Sequence, residues 1–215
     1  GKRPDERLAA LMAAMEAPPD GVRVNVAGEQ QDQQEATRFL ASAFLVAICL
    51  MLLILVTQFN SLYQAALVLS AIVFSTAGVL LGLLANAQPF GIVMVGMGII
   101  ALAGIVVNNN IVLIDTYNQL RGEGLAPGEA ALEAGGLRLR PVLLTAVTTV
   151  LGLAPMVLGI NVDLLTPSLG LGAPSTQWWT QLSSAIAGGL TFATGLTLLL
   201  TPCMLVLGAR FDRRL

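Results

Sequence analysis

The chain has 215 residues, of which 55% are hydrophobic and 11% charged, with a mean hydropathy of +0.78 and a formal charge of −2. That composition excludes a soluble globular enzyme and a basic nucleic-acid-binding surface, and it belongs to a polytopic membrane protein. The absence of histidine removes imidazole acid–base chemistry and the commonest metal ligand. Cys49 and Cys203 lie inside apolar runs and read as small buried hydrophobes. Neither a metal site nor a cofactor is expected.

Residues 1–38 are polar, and seven of the thirteen acids fall before residue 36. Asp5 to Ala17 has helical spacing of apolar residues (Leu8, Leu11, Met12, Met15), Pro18-Pro19-Asp20-Gly21 is a stop and turn, and Val22 to Val26 alternates as a half-buried strand does. One helix and one strand cannot bury a core unaided, so this segment reads as the tail of a larger extramembrane domain.

Five apolar spans follow, each near the ~20 residues a bilayer crossing needs. They are Phe39–Thr57, Ala65–Leu84, Phe90–Ile114, Val142–Ile160 and Leu182–Leu207. Gln58-Phe-Asn-Ser61 joins the first two tightly, and an antiparallel pair is expected there. Between the third and fourth spans, Pro127 to Leu137 suits a short surface helix, with Pro141 in the first turn of the fourth span.

Arginines set the orientation. Arg121, Arg138, Arg140, Arg210, Arg213 and Arg214 fall on one side, against Arg23 and Arg38 on the other. By the positive-inside rule the C-terminus is cytoplasmic and the N-terminal segment lies outside. A polar exported head without a signal peptide points to an upstream span and a longer protein. Trp178 and Trp179 fit an interfacial anchor before the last span. Gly78 and Gly82 in the second span, and Ser184 and Gly188 in the fifth, form small-residue faces for close helix packing.

The third span carries Asn108, Asn109 and Asn110 in a row, followed by Asp115. Successive helix positions turn by about 100°, so no single neighbour satisfies all three amides and lipid satisfies none. The helix should therefore be enclosed by others. Asp115 lies two turns below Asn108 on nearly the same face. Intramembrane polar residues are functional-site candidates, but they also hold helices together, and both readings stand for the asparagines. A solvated helix end is the plain reading of Asp115. Thr145 and Arg138, seven apart, share a face if a helix runs through Pro141; a threonine in a span commonly bonds its own backbone. A single acid near membrane depth does not make an intramembrane aspartyl protease.

These residues resemble the inner-membrane pump subunits of the resistance–nodulation–cell division (RND) superfamily, most nearly the hydrophobe/amphiphile efflux branch of AcrB-like multidrug pumps. The resemblance rests on Gly28-Glu-Gln-Gln-Asp-Gln-Gln-Glu35, Gln58-Phe-Asn-Ser61, Gly104-Ile-Val-Val-Asn-Asn-Asn-Ile-Val-Leu-Ile-Asp115, Leu137-Arg-Leu-Arg-Pro-Val-Leu-Leu-Thr145 and Thr201-Pro202, in the family's order. It implies an all-α polytopic membrane protein with the last five of twelve spans (35–215), preceded by a remnant of the periplasmic porter domain (1–34). It further implies a multi-pass inner-membrane exporter, proton-driven and not an enzyme. Such pumps work as homotrimers with a periplasmic adaptor and an outer-membrane channel, beside the missing N-terminal half. Proton-relay candidates by this resemblance are Asn108, Asn109, Thr145, Arg138 and Asp115, with Asn110 a packing residue. The sequence departs from relatives in placing Asn108 where many carry a lysine, and Ala65 and Val73 where many carry prolines. The other reading kept open is a non-transporting structural piece, or a scaffold that needs a separately encoded first half.

Overall fold

A computed structural model describes residues 29–163, 168–171 and 174–212. Five helices, α1 (Glu29–Phe59), α2 (Leu62–Ala85), α3 (Ile92–Gly122), α4 (Pro127–Val157) and α5 (Pro174–Asp212), are joined by short connections, with strands β1 (Ile160–Asp163) and β2 (Ser168–Leu171) before α5. All five helices are long and apolar enough to cross a membrane. The architecture is the all-α polytopic bundle the sequence leads one to expect. The elements anticipated over 5–26 lie outside the described residues.

The helices overrun the apolar windows. α1 begins ten residues before Phe39, α3 runs eight past Ile114, and α5 starts before Leu182. Hydropathy marks where hydrocarbon ends, whereas a helix continues while its i→i−4 hydrogen bonds remain the best partners for its backbone. The fourth segment needs the largest correction. The expected surface helix and fourth span are one continuous helix, and Pro141 sits in its interior. The proline removes the N–H that would pair with the Leu137 carbonyl, a cost that membrane helices tolerate. α4 ends at Val157, so Ile160 belongs not to a span but to an antiparallel hairpin, paired Ile160 with Leu171 and Asp163 with Ser168. Short alternation there gave no sign of it. Cys49 and Cys203 are both exposed on the helix surfaces, not buried.

Local chemistry sets the turns. Asn60 adopts φ 48°, a left-handed conformation that asparagine tolerates, and reverses the chain after α1. Ser61 then caps α2 by accepting from the Gln64 N–H at 3.3 Å. After α3, Gly124 takes φ 98°, and the Arg121 guanidinium donates to the Leu125 carbonyl.

The hub of the bundle is α5, which packs closely on α2, α3 and α4. Its closest crossing is with α2. A Cβ built on Gly82 would stand 2.6 Å from the Gly188 Cα and 2.9 Å from the Ser184 carbonyl oxygen. One turn away, a Cβ on Gly78 would meet Phe192 Cβ at 2.5 Å. Without side chains at these points the two backbones touch, which is how membrane helices gain dispersion contact when no hydrophobic drive separates them from lipid.

α1 is the exception. It reaches the bundle through long side chains, Leu55 being 1% exposed and Leu40 lying against Gly96, and it makes no comparable backbone approach to α2. The close antiparallel pair expected of these two helices is not what forms, because α1 offers leucine, isoleucine and methionine where close packing needs small residues. α2 instead binds α3 through a reciprocal amide pair. Gln64 Nε2 donates to Asn118 Oδ1 at 2.8 Å and Asn118 Nδ2 donates to Gln64 Oε1 at 2.9 Å.

Two outcomes test this packing by SDS unfolding of the purified chain. Gly188→Ala should cost about 1–3 kcal/mol through overpacking, while Gly195→Ala, whose Cβ meets nothing within 4 Å, should stay within about 1 kcal/mol of the parent. A double-mutant cycle of Gln64→Leu and Asn118→Leu should return a coupling of about 0.6 to 1.7 kcal/mol.

Candidate functional site: the polar faces of helix α3

The three asparagines divide between opposite sides of α3. Asn110 is 0% exposed and faces α5. Its Nδ2 donates to the Val106 carbonyl at 3.0 Å and to Thr197 Oγ1 at 3.2 Å, and its Oδ1 accepts from the Thr201 hydroxyl at 2.8 Å. Both threonines are 3% exposed. Asn108, two positions earlier and therefore about 200° around the helix, is exposed, and Asn109 is half-buried between them. The expectation that other helices enclose this one is met by the described residues on one face only. The described helices cover the Asn110 face and leave the Asn108 face open, because two residues apart on a helix cannot both point at one neighbour.

The open face continues along α3. Met97, Ala101, Gly104 and Asn108 are exposed at helical spacing, and a Cβ on Gly104 would meet nothing within 4 Å. Two turns beyond Asn108, Asp115 is half-buried and accepts from Gln119 Nε2 at 2.9 Å. An exposed stripe of Met97, Ala101 and Gly104 therefore leads to an exposed amide and on to a half-buried carboxylate.

Arg138 and Thr145 part company. Arg138 is half-buried and its Nε donates to Thr116 Oγ1 at 2.6 Å; Thr116 in turn donates to the Val112 carbonyl at 2.9 Å. The guanidinium is thus tied to α3 at Thr116, the residue after Asp115. Thr145 is exposed on α4, its hydroxyl donating to its own helix at the Val142 carbonyl, 2.9 Å away. The continuous helix through Pro141 does put the two residues on one helix, yet within the described residues nothing joins them.

Several polar residues to which sequence reasoning gave no role turn out to organise this region: Thr116, Thr197, Gln64 and Asn118, with Thr201, quoted only as part of a motif. Thr197 and Thr201, four apart, carried a signal, since that spacing puts two hydroxyls on one face of an apolar helix. Tyr63 is another. Its hydroxyl donates to the Met204 carbonyl at 2.6 Å, and Gly208 leaves room for its ring. Ser184 and Thr194 are buried with no side-chain hydrogen-bond partner among the described residues. Trp178 and Trp179 are 60% and 54% exposed near the start of α5.

Comparison with known proteins places this arrangement. Residues 5–209 match the model of the AcrB/AcrD/AcrF family. The chain is 36% identical over 197 residues to the swarming motility protein SwrC of Bacillus subtilis, covering 91% of this chain and 18% of SwrC. It is 34% identical to the nickel and cobalt resistance protein CnrA of Cupriavidus metallidurans (96% and 18%) and 29% identical to the multidrug resistance protein MdtC of Escherichia coli (100% and 20%). The crystal structure of a heavy metal efflux pump superposes with a TM-score of 0.71 at 31% identity, covering 94% of this chain and 19% of that one. The chain thus spans about a fifth of the length of these relatives. Both metal and multidrug proteins are among them, so the resemblance holds at the level of the family and not of its hydrophobe/amphiphile branch. With a family match across nearly its whole length and a bundle that superposes on an efflux pump, the chain belongs to the AcrB/AcrD/AcrF family of RND permeases.

Proposed function

We propose that this chain is the C-terminal membrane portion of a proton-driven RND exporter of amphiphilic small molecules, seated in the bacterial inner membrane. The observation that carries this reading is the open face of α3, with Asn108 exposed and Asp115 half-buried on it. Lipid cannot satisfy an amide or a carboxylate, so a polar stripe left open by this chain needs a polar partner supplied by elements outside it. In such a pump that partner is the relay helix of the N-terminal half. Residues 1–34 are then the end of a periplasmic porter domain and residues 35–215 the five-span domain, with the N-terminal segment periplasmic and the C-terminus cytoplasmic as the arginine bias demands. The working assembly is a homotrimer joined to a periplasmic adaptor and an outer-membrane channel.

Within this reading each candidate has a part. Asn108 donates to a facing carboxylate when that group is ionised and loses the partner when it is protonated. Asn109 borders the same face. Asp115 takes the proton toward the arginine-rich end, where Arg138 is tied to α3 at Thr116. Thr145 lies on the exposed side of α4 and meets the relay once its neighbours are present. Trp178 and Trp179 anchor α5 at the outer interface.

A second substrate reading is metal-ion export. It is favoured by the names of CnrA and of the structurally similar heavy metal efflux pump. A structural scaffold without transport is the alternative in kind, and co-purification of a separately encoded first half would support it.

The test uses the full-length pump in an efflux-deficient bacterium. Asn108→Leu and Thr145→Ala should each lower ethidium efflux by roughly tenfold to a hundredfold, as expected when a participant in proton transfer is removed. Unchanged efflux in both variants removes them from the relay. Nickel tolerance conferred without ethidium efflux selects the metal reading.

A further inference from the structure

The clasp at Asn110 has a place in the bundle that packing alone does not explain. In its first half α3 is fixed against α5 by shape: Gly189 leaves a notch that Leu102 fills, and a Cβ on Gly98 would sit 3.2 Å from Ala185 Cβ. In its second half the fixing is by hydrogen bonds. Asn110 spans two successive turns of α5, taking a hydroxyl proton from Thr201 and giving an amide proton to Thr197. This junction lies beside Pro202, in the interior of α5, where the missing N–H leaves the Leu198 carbonyl without its helical donor. The hydroxyl stripe does not stop there. Thr194, one turn before Thr197, is 4% exposed and has no hydrogen-bond partner among the described residues. α5 therefore offers three buried hydroxyls to one amide, and the structure has Asn110 on the two nearest the proline, both in the turns just before it.

We propose that Asn110 is a positioning residue: its amide, held between Thr197 and Thr201 just before Pro202 of α5, sets the rotation at which α3 presents Asn108 and Asp115 to the rest of the pump. The geometry makes the linkage direct. Asn108 lies about 200° around the helix and only two residues away, so what holds Asn110 inward holds Asn108 outward. Asp115 follows five residues later, before any further buried amide on α3. Apolar side chains at 110, 197 and 201 could fill the same volume, yet they would remove the directional contact nearest Asn108 and leave its orientation to the shape fit at Gly189 and to the bonds at Thr116 and Asn118, two turns away, because apolar contact is non-directional and hydrogen bonds are not. The inference rests on the exporter reading above and adds to it a residue that touches neither proton nor substrate.

The experiment compares three variants of the full-length pump, each present in the membrane at parental level, with ethidium and nickel ion as parallel transport probes. Asn110→Leu leaves two buried hydroxyls unpaired and can fail by misfolding. The triple variant Asn110→Leu, Thr197→Val, Thr201→Val removes that cost by making the whole junction apolar. The exchange variant Asn110→Thr with Thr201→Asn rebuilds an amide–hydroxyl bond from the opposite helix. The triple variant should accumulate normally but turn over at least about tenfold more slowly, with its half-saturating probe concentration unchanged and its pH profile displaced, as expected of mispositioned relay groups. The exchange variant should recover to within about threefold of the parent. Parental turnover and pH profile in the triple variant would overturn the proposal, as would an exchange variant that accumulates but stays as slow as the triple. The two readings fail separately. Loss of the exporter reading shows in the unmodified pump, whereas loss of this inference shows only in the ratio of variants to it.

Discussion

The contact on which the rest of the bundle depends is the meeting of α2 and α5 at Gly82 and Gly188, where two backbones approach with no side chain between them. In water such a crossing would gain from expelled solvent. In lipid it gains only from dispersion and from the hydrogen bonds that proximity allows, so the distance of approach decides its strength. α5 makes this approach to α2 while also packing on α3 and α4, and thereby becomes the element the others are hung on. The second half of α1 shows the converse: from Ile48 to Val56 only Cys49 is small, and that stretch makes no such backbone approach to its neighbours.

Once α5 is fixed, the polar chemistry of α3 sorts itself by angle. Three consecutive asparagines cannot share a neighbour, and the bundle resolves this by burying Asn110 against Thr197 and Thr201 and leaving Asn108 open. The division of labour is physical before it is functional. Asn110 is fully satisfied inside the chain, with its amide using both donor and acceptor capacity on α5 and on its own helix. Among the described residues Asn108 has no such enclosure and stands on the exposed face.

Much of this was legible in the sequence. The five spans follow from apolar length, because the bilayer imposes it and nothing else in the chain competes. The positions Gly78, Gly82, Ser184 and Gly188 were readable as small-residue faces, since four-residue spacing puts them on one side of a helix. Other features were not readable. The run of α4 through Pro141 depends on the helix continuing on both sides of the proline, and a proline in sequence signals a first turn more readily than an interior. The hairpin after α4 has strands of four residues, too short for alternation to register. The enclosure of α3 was read from polarity, but polarity says only that a partner is needed, not which chain provides it. Arg138 was placed with Thr145 by spacing along one helix; its bond to Thr116 depends on how α4 leans on α3, which no spacing rule contains.

The neutral amide at 108 has its own consequence on the exporter reading. A lysine facing a carboxylate would be held by charge, and protonation of that carboxylate would release it with a large change in energy, because a Coulombic interaction grows as the local dielectric falls. An asparagine in that place is held by a hydrogen bond, which is shorter in range and smaller in energy. The response of α3 to protonation must then come less from attraction across the interface and more from how firmly α3 is already oriented. A helix steered by a weak contact on one face needs a strong reference on the other, and the Asn110 junction with α5 is the directional contact nearest to Asn108, with those at Thr116 and Asn118 further along. The neutral residue on the open face and the satisfied amide on the closed face are in this sense two halves of one arrangement: the first lowers the force available, and the second lowers the freedom against which that force must work.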